Sequence, residues 1–190
     1  VEVQMGVSFV SMENARLNLD TEQQGKNFGQ VLEEARRRWN DDLSRILVEG
    51  GTEEQQKTFY SCLYRTLLFP REFYEFDKNE APVYYSPYDG QIHNGYMYTD
   101  NGFWDTFRAV HPLFTLVYPE VSERIMQSIV NAYSESGFMP EWASPGHRGC
   151  MIGNNSISLL TDAWMKGIRT FDKDKALEAM LNQTRARSEE

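Results

Sequence analysis

Trp104 and Asp105 stand side by side in the run Asp100, Asn101, Gly102, Phe103, Trp104, Asp105, Thr106, Phe107, Arg108. That run leads into an apolar stretch through His111 and Pro112. A Trp beside a carboxylate at the mouth of a helix suits a sugar. The ring face covers the C–H surface of a pyranose, and the carboxylate accepts hydrogen bonds from its hydroxyls. A plainer reading makes Trp104 and Phe107 core residues and Asp105 a helix cap. A second pair of the same kind, Glu141 and Trp142, lies in a later loop. There Glu141 is a sugar-facing acid, a solvent-facing acid or a partner for Arg148.

Elements that could carry these pairs are readable along the chain. Residues 1–10 alternate and are rich in Val, which predicts a short N-terminal strand, the tail of an upstream β domain. Residues 13–20 read as a connector. From Phe28 to Leu47 apolar residues recur at three-and-four spacing, the stripe of one long helix before Gly50 and Gly51. Thr52 and Gln55 have the form of a capping box that opens a second helix, which Pro70 ends.

Residues 71–102 are aromatic and poor in helix formers. Asp89-Gly90 and Asn94-Gly95 mark turns, so a β-hairpin or aromatic loop is expected. Helices resume at 104–118, 120–136 and 155–168, and Asp172 caps a last one. The helices are expected as antiparallel pairs. Loops 98–105 and 138–154 then fall on connections of the same parity, at one rim. The charged residues from Arg185 to Glu190 leave no element to close a ring.

Composition narrows the function. The chain has 190 residues and a net charge of −9, which argues against a nucleic-acid surface. Its one basic run, Arg36 to Arg38, is interleaved with acids and reads as a solvated helix face. No apolar run reaches membrane-spanning length. Aromatic residues make up 13%, a surplus that suits a carbohydrate cleft or a well-filled core. Of the two cysteines, Cys62 reads as a small buried hydrophobe. Cys150, after His147, is open to a nucleophile reading that lacks any known signature. His111 reads as a structural histidine, and His93 and His147 as loop residues, with a ligand role the minority alternative. Asn154-Asn155-Ser156 fits the glycosylation sequon.

Taken together, these segments resemble glycoside hydrolase family 92. Residues Gly6 to Leu19 resemble the junction after that family's N-terminal β domain, and Asp100 to Arg108 looks like its Trp-Asp-Thr motif. Gly137 to Trp142, and Met151 to Ser156 leading to Asp162 to Gly167, are similar to the next two blocks. Phe171, Asp172 and Ala176 continue the likeness.

The resemblance implies a mainly α fold: part of an (α/α)6 toroid of helix hairpins, with a short N-terminal strand and an aromatic hairpin insertion. Residues 1–20 would end an upstream β-sandwich domain, and 21–190 would begin the catalytic domain. The implied activity is that of an inverting, calcium-dependent exo-α-mannosidase, with α-1,2 linkages the first expectation. Its substrates would be α-mannoside glycans, its address periplasmic or extracellular, and its partners the β-sandwich domain and the rest of the toroid. Asp105 matches a residue that hydrogen-bonds mannose hydroxyls. Trp104, Glu141 and Trp142 would line the same pocket. Arg108, one turn after Asp105, is expected to pair with a carboxylate and orient it.

The family's general acid lies in a Glu-Gly-Asn block and its base in a Gly-Asn-Asp-Asp block. Neither occurs here, nor does the Gly-Asn-Glu-Pro segment that meets sugar and metal. No catalytic acid, base or calcium ligand is therefore assigned. Two other readings stay open: another (α/α)6 glycosidase of trehalase or glucoamylase type, with Glu141 as the acid, and a non-catalytic carbohydrate-binding helical module.

Overall fold

The computed structural model describes residues 1–185, and the end of the charged tail lies outside them. Three helices come first: α1 (Met12–Gln23), α2 (Phe28–Leu43) and α3 (Glu53–Thr66). Short strands follow: β1 (Arg71–Glu72), β2 (Glu75–Phe76), β3 (Pro82–Tyr85), β4 (Ile92–Asn94), β5 (Tyr98–Thr99) and β6 (Asn101–Gly102). Then come α4 (Phe103–Thr106), α5 (Val110–Val117), α6 (Pro119–Ser136), β7 (Trp142–Ala143), α7 (Ser156–Met165) and α8 (Lys173–Gln183). The fold is mainly α with small antiparallel ladders. It divides into two compact units, one of residues Val1–Leu68 with Glu75–Ala81, the other of Phe69–Tyr74 with the chain from Pro82 onward.

In the first unit the N-terminal strand is not formed: residues 1–8 have neither helix nor strand. Val1, Val3, Met5, Val7 and Phe9 are all exposed. Alternation marks a strand only where a second chain completes the ladder, and among the described residues none does. The expected connector is the helix α1, opened by Ser11, whose hydroxyl accepts from the Asn14 amide. The Glu75 carboxylate gathers this region by accepting from the Ser8 hydroxyl, the Phe9 amide and the side chains of Asn14 and Asn18. Burial pushes its pKa up, but these donors outweigh burial and hold it below the usual carboxylate value.

Helix α2 ends at Leu43, short of the expected Leu47, and buries none of its residues fully. It meets α3 through Trp39 on Tyr64, ring centroids 4.6 Å apart. The Thr52–Gln55 capping box has both of its bonds. Cys62 is exposed, not buried: it lies about 100° round α3 from the helix's one buried residue, Leu63.

The second unit is centred on α6. Pro119 starts this helix, where a missing N–H costs nothing, and Gly137 stops it at φ 83°. Ile125, Met126, Ile129, Val130, Ala132 and Tyr133 are buried along α6. Phe114 of α5, Leu160 of α7 and Ala179 of α8 are buried too, and α6 packs against all three helices. The helix expected over 104–118 is two helices. In one continuous helix the Pro112 ring would strike the Arg108 carbonyl. Restarting at Val110 places Pro112 in the first turn, where it is tolerated, and Ala109 breaks the path at φ −136°.

Strands β3 and β4 form the expected hairpin, with Val83 opposite Asn94 and Tyr85 opposite Ile92. Gly90, at φ 72°, makes its turn. His93 thus lies in a strand, not in a loop. Among the described residues no helix is long and apolar enough to cross a membrane.

Candidate functional site

Two ladders meet at one residue. Strand β5 pairs with β1, Thr99 opposite Arg71. Two residues on, β6 pairs with β7, Asn101 opposite Ala143 and Gly102 opposite Trp142. Asp100 makes the switch at φ 58°, a conformation that non-glycine residues seldom adopt. Its carboxylate is committed there, to an ion pair with the Arg71 guanidinium and to the Ser144 hydroxyl at 3.0 Å. The β6–β7 ladder joins the two Trp–acid loops that are about forty residues apart in the chain, and the Phe103 amide adds a bond to the Glu141 carbonyl at 3.4 Å.

Below the ladder lies a buried polar set. The Asn101 amide donates to His111 Nε2 at 3.0 Å. The Thr106 hydroxyl faces Asn101 Oδ1 at 3.1 Å and the Gly102 carbonyl at 3.0 Å. His111 is only 3% exposed, and burial drives its pKa down from 6.5 to about 4. A neutral ring whose Nε2 accepts must carry its proton on Nδ1, which has no partner among the described residues. The structural reading of His111 thus holds, with one nitrogen satisfied.

The folded-state pKa of His111 lies below the unfolded one. Its neutral form therefore contributes stability that is complete above about pH 6.5 and lost as pH falls towards 4. The gap corresponds to on the order of 3 kcal/mol. The melting temperature of the full-length protein should drop more between pH 7 and pH 5 than that of a His111→Asn variant. Parallel profiles for the two would mean that His111 does not titrate in this range.

On this base sit the side chains singled out from the sequence. Trp104 is 44% exposed and Asp105 is exposed, both on the single turn of α4. Asp105 caps nothing: Gly102 is the N-cap, without a side-chain bond. Among the described residues no hydrogen bond or ion pair engages the Asp105 carboxylate. It folds back over Gly102, and Asp105 Oδ2 lies 2.6 Å from where a Gly102 Cβ would stand. Trp142 Cδ2 lies 3.5 Å from the same point. Asp105 and Trp142 thus flank one glycine, which a reading of motifs alone had left without a role. Glu141 and Trp142 are half-buried.

Arg108 departs from expectation. Among the described residues it holds no carboxylate: its guanidinium lies 4.4 Å from the ring centroids of both Trp104 and Phe107 and donates to the Trp104 carbonyl at 2.6 Å. A cation over two π faces and a carbonyl four residues back is already well placed, so Asp105 keeps its lone pairs. Arg108 supports the tryptophan, not the acid.

The loop after Trp142 is pinned at both ends. The Arg148 amide donates to the Trp142 carbonyl at 2.9 Å. The Asn154 amide donates to the Met139 carbonyl at 2.7 Å, and the Ser156 hydroxyl reaches the Pro140 carbonyl. Asn154 is therefore part of the loop's own structure, which a glycan on the same nitrogen would disturb. Cys150 is exposed, while the His147 ring meets Ser136 at 2.8 Å and the Tyr88 ring at 4.8 Å.

Calcium takes about six to eight oxygen ligands. Asp100 is occupied by Arg71 and Ser144, and among the described residues neither Asp105 nor Glu141 belongs to a group of three or more acids, imidazoles or thiols. The rim does not fit that ion.

The β6–β7 ladder thus brings an exposed indole, a half-buried indole and an acid with open lone pairs to one place on a helical scaffold. Residues 14–190 match the glycosyl hydrolase family 92 catalytic domain, and the chain belongs to that family. It is 70% identical to the family GH92 inverting mannosidase BT2199 of Bacteroides thetaiotaomicron VPI-5482. The match covers 96% of this chain and 25% of that one, with a TM-score of 0.94. The GH92 α-mannosidase BT3965 of the same species, solved in complex with mannoimidazole, is 29% identical at a TM-score of 0.86, over 96% of this chain and 24% of its own. A curated protein from Arthroderma benhamiae, described as an uncharacterized secreted glycosidase, is 24% identical over 187 residues, or 95% of this chain and 20% of that protein. The chain thus spans a quarter or less of the relatives it matches. The helical class and the small sheets are those of the solved family members.

Proposed function

We propose that the full-length protein is an inverting exo-α-mannosidase that removes terminal mannose from glycans, and that this segment supplies one wall of its sugar pocket. The observation that carries this reading is the β6–β7 ladder, which unites Trp104, Asp105, Glu141 and Trp142 in a chain 70% identical to an inverting mannosidase. Asp105 accepts hydrogen bonds from mannose hydroxyls, and the indoles cover the C–H face. Family membership sets aside the trehalase-type reading in which Glu141 is the acid.

Inversion needs an acid and a base roughly 6.5–9.5 Å apart, with water between. Both belong to parts of the enzyme outside these residues, as do the ligands of a bound calcium ion. The toroid would be completed by the remaining helix pairs, with a β-sandwich domain upstream. An exported enzyme, periplasmic or extracellular, is consistent with the relative described as secreted.

The test is hydrolysis of α-1,2-mannobiose by the full-length protein, with the first-formed anomer followed by proton NMR. β-Mannose as first product, and loss of turnover on chelation restored by calcium, are the expected results. Initial α-mannose would overturn inversion. Turnover that survives chelation would overturn the calcium requirement, and no release from any α-mannoside would overturn the activity.

A further inference from the structure

Away from the Trp–acid rim, three side chains with metal-binding atoms converge. Asp89 lies in the turn of the β3–β4 hairpin, His93 in β4 and Glu135 near the end of α6. One ligand atom from each lies within 4.8 Å of the other two. Asp89 Oδ2 is 2.8 Å from His93 Nε2.

The groups behind them are ordered. The Gln91 amide donates to Asp89 Oδ1 at 2.9 Å. The Tyr84 hydroxyl donates to Glu135 Oε1, and the Ser86 hydroxyl to Glu135 Oε2 at 2.5 Å. Tyr84 and Ser86 are buried. Burial, and then the bond to Glu135, push the Tyr84 phenol far up, so it remains a donor. Tyr84 also stands opposite His93 in the ladder, ring centroids 5.8 Å apart. Donors behind the carboxylates and a ring against the imidazole are what outer contacts supply to metal ligands.

We propose that Asp89, His93 and Glu135 bind a divalent cation of the zinc class. The donor set decides the class. One imidazole nitrogen with two carboxylates suits Zn²⁺, whereas Ca²⁺ takes oxygen alone. Zinc bonds of about 2.0–2.2 Å place tetrahedral ligands about 3.4 Å apart. From a spread of at most 4.8 Å the atoms need close by no more than about 1.4 Å, with Asp89 and His93 parting slightly from 2.8 Å. To bind, His93 Nε2 offers its lone pair while the neutral ring carries its proton on Nδ1, and water completes the fourth position.

The ion would fasten the hairpin to α6. The hairpin turn also packs on the loop after Trp142: a Cβ at Gly146 would stand 2.9 Å from the Pro87 carbonyl, and the Tyr88 and His147 rings are 4.8 Å apart. The site therefore braces the support of the second Trp–acid pair. It does not depend on the mannosidase reading.

The test uses the full-length protein, stripped with chelator and refilled with calcium, so that oxygen sites are occupied. Zn²⁺ is then titrated by calorimetry, and Co²⁺ by its visible d–d bands. One saturable equivalent at micromolar metal, a melting temperature raised by a few degrees, and loss of both in His93→Gln and Glu135→Gln are expected. No saturable binding in the wild type would overturn the site, and so would equal binding by both variants. That second result would leave the three groups as a hydrogen-bonded cluster only. Should Glu135→Gln fail to fold, Asp89→Asn on the exposed turn takes its place in the same comparison.

Discussion

Replacing Asp105 by Ala in the full-length enzyme is expected to lower kcat/KM for an α-mannoside by at least about tenfold, with the melting temperature unchanged. Tenfold is about 1.4 kcal/mol, within reach of one charge-assisted hydrogen bond. The structure supports both halves of this expectation. Asp105 is exposed, caps no helix and, among the described residues, pairs with nothing, so its removal breaks no contact of the fold. What it loses is a carboxylate whose acceptors stay open beside Trp142. Asp105→Asn should fall between wild type and Ala, because an amide keeps one acceptor without the charge. A fully active Asp105→Ala enzyme would return Asp105 to the role of a surface acid in the first turn of α4.

Gly102→Ala is expected to lower kcat/KM by about tenfold to a hundredfold while costing little stability. The backbone at Gly102, φ −94° and ψ 110°, is open to any residue, so the methyl strains no dihedral. It would stand 2.6 Å from Asp105 Oδ2, at the tip of a side chain that can swing away. The cost therefore falls on the position of the carboxylate. A double-mutant comparison separates this from a general disturbance. In an Asp105→Ala background Gly102→Ala should add almost nothing. A further full loss there would mean that the methyl acts through Trp142 or the ladder, and wild-type activity in the single variant would remove Gly102 from the site.

The sequence by itself determined the features set by neighbouring residues. The Thr52–Gln55 capping box, the Asp89-Gly90 hairpin turn, Pro119 and Gly137 at the ends of α6 and Asp172 at the head of α8 all stand where local chemistry puts them. Each satisfies backbone groups within a few residues of itself, so a short window of sequence carries the information. The adjacency of Trp104 with Asp105, and of Glu141 with Trp142, was legible for the same reason, and so was the family.

Tertiary structure decided what depends on partners far along the chain. The N-terminal alternation made no strand, because a ladder requires a second chain segment. Arg108, in the break between α4 and α5, turned to two aromatic faces instead of a carboxylate, a choice that its spacing from Asp105 does not specify. The role of Gly102 emerged only when β7 came to lie against β6, since a missing Cβ is informative only once the atoms that would meet it are known. Asp89 and His93 are four residues apart, but Glu135 reaches them only because α6 packs beneath the hairpin. Such long-range encounters depend on the packing of whole elements, and no local spacing encodes them.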